Sequence, residues 1–282
     1  QNCMIVDSTA LPEQVVDDVI TSGFQSAGQR CSALRVLFIQ EDIADKMITM
    51  IKGAMQELHI GDPALLSTDV GPVIDEKALT ALNNHVEYLQ QHDKATLHYA
   101  CSMQEPEFAH NFFVPRLYEI NDLSVLTKEV FGPVVHVIRF SASNLDNVIA
   151  QINDTGFGLT MGIHTRIEQK AKYLARKSRA GNVYVNRNMI GAVVGVQPFG
   201  GRGKSGTGPK AGGPNYLKRL LSFQRQSTLF YPSNRLLLSE PSSILTSAVA
   251  DLSTTATQRM RQASNAEQQW RYVPATNRIA CL

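Results

Sequence analysis

The chain has 282 residues, 43% of them hydrophobic and 18% charged, and its formal net charge is +2. This length allows a sizeable core in one large or two unequal domains. The near-neutral charge, with no run of like charges, argues against contact with nucleic acid. No apolar run is long enough to cross a bilayer. The four cysteines are too widely spaced for a zinc site or a disulfide framework, which favours a reducing cytoplasm and no bound metal.

Alternating apolar patterns predict a series of strands and helices over most of the chain. We predict strands at 2–7, 35–39, 95–99, 112–118, 134–140, 159–164 and 183–186, and helices at 12–23, 41–58, 75–91, 145–153 and 167–178. Strands alternating with helices of this length indicate an α/β fold, in which a mostly parallel sheet is covered by helices.

The domain organisation follows from changes in composition. Residues 1–222 form the predicted α/β domain. Residues 223–268 are rich in Ser, Thr, Ala and Gln, which predicts a linker or loose helices. Residues 269–282 regain strand character and predict the start of a further C-terminal domain. The expected fold is therefore an α/β domain with a less regular C-terminal tail.

Cys31 lies at a predicted tight turn between the first helix and the second strand. Its small neighbours let a substrate carbonyl approach both the sulfur and the backbone N–H groups, and Arg30 beside it would favour the reactive thiolate. An inert cysteine is the more frequent outcome for such a pattern, so the residue by itself leaves both interpretations open. Cys3 and Cys101 lie in apparent strands and are expected to be buried thiols.

Two other stretches carry candidate chemistry. Glu129 and Phe131 lie in Lys-Glu-Val-Phe-Gly-Pro. A carboxylate can accept from two adjacent hydroxyls and a ring can hold a flat ligand, but from these residues alone a solvated Glu and a core Phe are the more frequent outcome. Residues 191–213 are dense in glycine, so they either expose backbone N–H groups to an anion or form a flexible connection. Their spacing matches neither a P-loop nor a dinucleotide fingerprint.

Four stretches, in this order, resemble the aldehyde dehydrogenase superfamily: FQSAGQRCSALR at 24–35, KEVFGPVVHVIRF at 128–140, GFGLTMGIHTR at 156–166, and GNVYVNR followed by QPFGGRGKSGTGPKAGG up to residue 213. Together they cover the chain to about residue 220. The Gln-Arg-Cys-Ser motif and the long glycine loop resemble the glutamate-γ-semialdehyde (1-pyrroline-5-carboxylate) dehydrogenase branch. Within that branch they resemble the dehydrogenase half of the bifunctional proline utilisation A family. Residues 270–281 resemble the segment that opens the extra C-terminal domain of its long members.

The resemblance implies NAD-dependent oxidation of glutamate γ-semialdehyde to glutamate in proline catabolism. Cys31 is then the nucleophile, acting through a thiohemiacetal and a thioester. Glu129 binds the nicotinamide ribose hydroxyls and Phe131 packs near the ring. The residues implied to bind the substrate surround its carboxylate and its aliphatic part: Ser32, Phe199, Ser205, Gly206 and Thr207. The partner is a small aldehyde, no metal is implied, and the enzyme is expected to be a homo-oligomer whose parent associates peripherally with a membrane.

Three family residues are absent from the matching stretches. In the family, the general-base Glu, the side-chain oxyanion donor Asn and the lysine that grips the adenosine ribose precede the strand resembling 2–7. We therefore interpret the chain as a fragment without most of the NAD-binding domain and expect little or no turnover from it alone. FAD would belong only to an absent proline-oxidising half.

Several alternatives stay open at this stage. The chain could be an aldehyde dehydrogenase of another substrate class, or a non-catalytic scaffold or oligomerisation module; a thiol hydrolase is a poor third because no His is marked as its base. Arg35 either fixes the nucleophile loop or is a surface residue. Asn186 is interpreted as a turn residue that satisfies backbone groups.

Overall fold

A computed structural model of the chain describes residues 1–91, 95–103 and 110–220, together with residues 258, 261, 262 and 265. Contacts between residues divide the chain into two compact units, Gln1–Leu221 and Ser222–Leu282. The predicted linker at 223–268 and the predicted further domain at 269–282 lie outside the described residues, apart from four isolated positions. The fold below is that of the first unit.

Regular elements alternate along this unit. The strands are β1 (Asn2–Val6), β2 (Leu34–Gln40), β3 (Ala95–Ala100), β4 (Arg116–Ile120), β5 (Val134–Phe140), β6 (Phe157–Gly158), β7 (Thr160–His164), β8 (Asn182–Val185) and β9 (Arg202–Gly203). The helices are α1 (Pro12–Phe24), α2 (Glu41–Gln56), α3 (Glu76–Gln90), α4 (Leu145–Asp154), α5 (Glu168–Lys177) and α6 (Tyr216–Leu220).

The predicted elements are confirmed to within two residues, with one exception. The strand expected at 112–118 begins only at Arg116. Pro115 directly before it has no N–H to donate to a neighbouring strand, so the ladder starts after it. The prediction also missed β6 and β9, because two-residue strands leave no periodic pattern to detect.

The strands form a seven-stranded sheet in the order β3-β4-β5-β2-β1-β7-β8, and a separate two-stranded sheet joins β6 and β9. All neighbours in the large sheet are parallel except β3 and β4. Every residue of β1 and of β2 is buried, as expected for central parallel strands covered on both faces. The α/β prediction with a mostly parallel sheet is therefore confirmed.

Helix α1 determines where the cysteine turn lies. Pro12 occupies its first turn, where a missing N–H costs nothing, and Val15, Val16 and Val19 are buried on one side. A Cβ at Gly23 would lie 2.6 Å from a methyl group of Val135, so the end of the helix packs closely on β5. Since β1 and β2 are parallel, α1 returns the chain to the amino ends of the strands.

The described residues show neither a membrane-spanning helix nor a metal-binding cluster. No described helix is long and apolar enough to span a membrane. In the same part of the chain, no group of three or more His, Cys, Asp or Glu side chains is arranged to hold a metal ion.

Candidate active site at the amino ends of the strands

The cysteine turn begins with a left-handed stretch of backbone. Ser26, Ala27 and Gly28 have φ values of 56°, 50° and 63°. This conformation disfavours the first two residues and suits glycine. A Cβ at Gly28 would lie 2.3 Å from the carbonyl oxygen of Gly132, so the turn contacts the Lys-Glu-Val-Phe-Gly-Pro stretch backbone to backbone.

Cys31 is exposed at the tip of this turn, whereas Cys3 and Cys101 are buried, as predicted for both. No acceptor in the described part of the chain is bonded to the backbone N–H of Cys31. The side chain of Arg30 donates from Nε to Ser26 Oγ at 3.1 Å. The sulfur can thus reach the carbon of a carbonyl group that approaches from solvent, and the adjacent N–H can donate to its oxygen.

The buried amide of Asn2 holds the turn from the β1 side. Its Nδ2 donates to the carbonyls of Cys31 (2.7 Å) and Ala33 (2.9 Å), and its Oδ1 accepts from the N–H of Thr160 (3.2 Å). Thr160 Oγ1 in turn donates to the carbonyl of Ser32 (3.2 Å), and Ser32 itself is buried. The first residues of β1 and β7 therefore fix the conformation around the cysteine.

Arg35 fixes the turn from the other side. Its guanidinium is fully buried and donates to the carbonyls of Gly28 (2.5 Å), Arg30 (3.1 Å) and Gly132 (3.2 Å). Burial lowers its pKa to about 10, and the Glu129 carboxylate partly offsets this effect. The alternative that Arg35 is a surface residue is wrong, and the interpretation that it fixes the nucleophile loop agrees with these bonds.

Glu129 and Phe131 lie together beside Arg35. Glu129 Oε1 is 3.6 Å from Arg35 Nε, and 29% of the Glu129 side chain is exposed. The guanidinium carbon of Arg35 lies 4.7 Å from the centre of the Phe131 ring, and 45% of Phe131 is exposed. A carboxylate and an aromatic face are therefore both open to a ligand, which fits a group that offers paired hydroxyls and a flat ring.

The glycine-dense region is folded rather than open. Phe199 and Ala211 exchange two backbone hydrogen bonds, of 3.0 and 2.9 Å, and β9 pairs with β6. Asn182, the first residue of β8, donates from Nδ2 to the carbonyl of Pro198 (2.9 Å) and accepts at Oδ1 from the N–H of Gly200 (3.2 Å). The region is thus attached to the same edge of the sheet as the cysteine turn.

The predicted anchor residues lie on this folded region. Ser205 Oγ accepts from the N–H of Gly158 at 3.0 Å. A Cβ at Gly206 would meet the carbonyl oxygen of Gly201 at 2.7 Å, so the backbone there is closely packed. Thr207 is exposed, and its Oγ1 accepts from Nη2 of Arg219 at 3.1 Å.

Two sets of side-chain contacts connect the predicted site residues. The segment from Gly158 to Thr160 touches Ser205 at one end and Ser32 at the other. Arg35 connects the cysteine turn with Glu129 and Phe131. Within the described residues no hydrogen bond joins Phe199 or Thr207 to the cysteine turn.

A nearby cavity of about 680 Å³ is lined by Thr127, Lys128, Phe157 and Lys204, among others. None of the predicted site residues lines it. The predicted site residues therefore lie near this cavity and do not form its lining.

Three residues that the sequence analysis missed or left open hold this site: Asn2, Arg35 and Asn182. Each is a buried polar residue at the start of an otherwise apolar strand. A buried polar group needs partners, so a polar residue in this position is the signal that would have found them. Asn186, in contrast, is a turn residue as interpreted: its side chain bonds both the N–H and the carbonyl of Thr165.

Comparison with known proteins identifies the family. The model of the "Aldehyde dehydrogenase family" matches residues 1–225. The chain belongs to the aldehyde dehydrogenase family. This aldehyde dehydrogenase chain is similar to the "Bifunctional protein PutA" of Klebsiella aerogenes, with 52% identity over 81% of the chain and 18% of the relative. It is also similar to the "1-pyrroline-5-carboxylate dehydrogenase" of Geobacillus kaustophilus, with 32% identity over 82% of the chain and 44% of the relative.

A solved structure agrees with this assignment. The Bradyrhizobium japonicum proline utilization A (PutA) mutant D779Y superposes with a TM-score of 0.73 at 55% identity, covering 77% of this chain and 22% of that one. The aldehyde dehydrogenase chain thus spans less than half of the length of each of these relatives.

Proposed function

We propose that this chain forms the nucleophile and substrate-binding part of an NAD-dependent glutamate-γ-semialdehyde dehydrogenase, which oxidises L-glutamate γ-semialdehyde to L-glutamate in proline catabolism. The observation that carries the proposal is the convergence of an exposed Cys31, the Glu129–Phe131 stretch and the Ser205 region at the amino ends of the strands. The similarity to proteins named PutA and 1-pyrroline-5-carboxylate dehydrogenase supports the choice of substrate.

Cys31 begins the reaction as the nucleophile. Its thiolate attacks the aldehyde carbon, a C–S bond forms, and the carbonyl π electrons move to oxygen. The N–H of Cys31 donates to this oxygen and stabilises its charge. A nicotinamide cofactor held by Glu129 and Phe131 would supply the hydride acceptor for the thiohemiacetal carbon. Cys31 then carries a thioester, and water hydrolyses it to glutamate and the free thiol.

Glu129 and Phe131 are the residues that would hold this cofactor. The carboxylate of Glu129 would accept from two ribose hydroxyls, and its Oε1 lies 3.6 Å from Arg35 Nε. The half-exposed ring of Phe131 supplies an apolar surface for the nicotinamide.

The anchor residues recognise the other end of the substrate. Ser205 Oγ accepts from Gly158, so its own proton remains available to donate to a carboxylate. The same holds for Thr207, whose Oγ1 accepts from Arg219. Arg219 also brings a positive charge to this region, which favours a substrate with a carboxylate over an aldehyde without one.

The substrate is tested with Ser205→Ala and Thr207→Ala in the protein expressed at the full length of its gene. Loss of a hydrogen bond to a charged group should raise KM for the semialdehyde about tenfold and leave KM for butanal, which has no carboxylate, unchanged. Ser143→Ala, on an exposed turn of the chain, is the matched control. Equal changes for both aldehydes, or none, would contradict the substrate assignment.

The nucleophile is tested by brief, limiting alkylation with iodoacetamide at neutral pH, followed by peptide mapping. We expect Cys31 to be labelled first. Burial raises the pKa of Cys3 to about 12 and that of Cys101 to about 11, so both should react slowly. Cys31→Ser is the control. An unreactive Cys31 in the full-length protein would favour a non-catalytic scaffold.

A further inference from the structure

Arg35 joins the two stretches that the proposed function assigns to the nucleophile and to the cofactor. Its Nη1 donates to the carbonyls of Gly28 and Gly132, and its Nη2 donates to the carbonyl of Arg30. Gly28 and Arg30 lie on the Cys31 turn, and Gly132 lies on the other stretch. A planar fork with several N–H donors can hold three carbonyls at once, whereas the ammonium of a lysine cannot match that geometry.

The charge of this buried guanidinium is balanced by Glu129 without a direct hydrogen bond. The 3.6 Å between Arg35 Nε and Glu129 Oε1 is too long for one, and Nε has no other hydrogen-bond partner in the described part of the chain. The carboxylate therefore stays close to a positive charge while its lone pairs remain free to accept from a ligand. Phe131 completes the arrangement, with its ring against the guanidinium.

We propose that Arg35 is a positioning residue, which fixes Glu129 and Phe131 relative to the Cys31 turn and so sets the separation between the reacting carbon and the cofactor. The inference rests on the proposed function and adds a residue to it. Misplacement by about 1 Å can slow an enzyme about a hundredfold. If Arg35 only stabilised the fold, a folded variant would keep its kinetic constants.

Arg35→Lys in the full-length enzyme separates these two roles. Lysine keeps the charge but not the fork. We expect kcat to fall at least about tenfold and KM for NAD to rise, while KM for the semialdehyde changes less than about twofold, because no contact joins Arg35 to the Ser205 region in the described residues.

Arg116→Lys is the matched control. Arg116 begins β4, the strand next to β5, and its guanidinium lies 5.0 Å from the centre of the Phe113 ring. It thus shares the aromatic contact of Arg35, but in the described part of the chain its side chain is hydrogen-bonded to neither stretch of the site. Its kinetic constants should stay at the wild-type values.

A double-mutant cycle tests whether Arg35 acts through Glu129. NAD affinity, measured by calorimetry, should fall about as far in Arg35→Lys/Glu129→Gln as in the worse single variant, since both changes remove one coupled arrangement. Additive losses, or wild-type kinetics in Arg35→Lys, would refute the inference and leave the proposed function standing.

The remaining outcomes also support or refute the role of Arg35. Arg35→Gln is the second variant, and the same kinetic pattern is expected of it. If neither variant folds, Arg35 is structural and the inference is wrong. A wild-type enzyme that forms no NADH from the semialdehyde would refute the proposed function and this inference together.

Discussion

Gly28→Ala should destabilise the protein and displace the cysteine turn. Gly28 has a φ of 63°, where an alanine costs about 1–2 kcal/mol. The added Cβ would lie 2.3 Å from the carbonyl oxygen of Gly132 and 2.8 Å from that of Gly23. Both contacts are with backbone, which cannot rotate away as a side chain can. Relieving such an overlap in a packed region costs about 1–3 kcal/mol.

The two contributions sum to a loss of about 2–5 kcal/mol in the free energy of unfolding. For a domain of this size each kcal/mol lowers Tm by about 2–4 °C, so we expect a decrease of about 4–20 °C. Thermal unfolding followed by circular dichroism measures it. The alkylation rate of Cys31, measured on the same samples below Tm, should also change because the turn must move.

Gly53→Ala is the control for this substitution. Gly53 lies inside α2, and a Cβ there would meet none of the described atoms within 4 Å. Alanine in a helix interior is favoured over glycine by about 0.5–1 kcal/mol, so this variant should be more stable than the wild type. If Gly28→Ala instead melted with the wild type and left the alkylation rate unaltered, the close contact between the two stretches would be wrong.

Three further predictions concern other features of the molecule. Asn2→Ala should lower the free energy of unfolding by about 1–3 kcal/mol because it leaves the carbonyls of Cys31 and Ala33 without their donor. Urea unfolding measures this loss, with Asn84→Ala on the exposed side of α3 as the control. Equal losses of stability in the two variants would contradict the prediction. Stability should fall as the pH drops below about 6.5, because burial lowers the pKa of His85 and His164 to about 4 and that of His136 to about 3. The unfolded chain then binds protons before the folded one, and each histidine lowers the free energy of unfolding by about 2 kcal/mol at about pH 5. Urea unfolding that gives the same stability at about pH 7 and about pH 5 would exclude this. The 282-residue chain alone should form little NADH from the semialdehyde; turnover at the rate of the full-length enzyme would refute that.

The pair of buried histidines shows what sequence reasoning could not supply. His85 on α3 and His136 on β5 approach to 2.8 Å between their Nε2 atoms, and His136 Nδ1 lies 3.1 Å from the carbonyl of Arg35. A carbonyl only accepts, so Nδ1 of His136 carries its proton and Nε2 accepts from His85. These residues are far apart in the chain. The register between β2 and β5 places His136 beside Arg35, and the position of α3 brings His85 to His136.

The elements that were predicted depend on neighbours in the chain. The apolar stripe of α1, the apolar run of β2 and the turn residue Asn186 are local features of this kind. The position of Cys31 between α1 and β2 was predicted for that reason. The role of Arg35 depends on Gly132, 97 residues further along the chain, and the residues around Arg35 alone leave a surface position and a buried position equally acceptable.

The two edges of the sheet differ in a way that accounts for the location of the site. Ligands of open α/β sheets usually bind at the carboxyl ends of the strands. Here that edge is occupied by its own hydrogen bonds: Asp7 accepts from Thr9, Thr165 and Lys170, and Asn186 bonds Thr165. Burial alone would raise the pKa of Asp7, but these bonds outweigh it and hold that pKa below its usual value.

The amino edge is built differently. Its polar side chains, Asn2, Arg35 and Asn182, use their hydrogen bonds on the backbone carbonyls and N–H groups of the connecting segments. Those segments are thereby fixed in place, while the thiol of Cys31 and the carboxylate of Glu129 stay open to solvent. Catalysis needs reactive groups on fixed supports, and among the described residues this division of roles occurs at the edge where the strands begin.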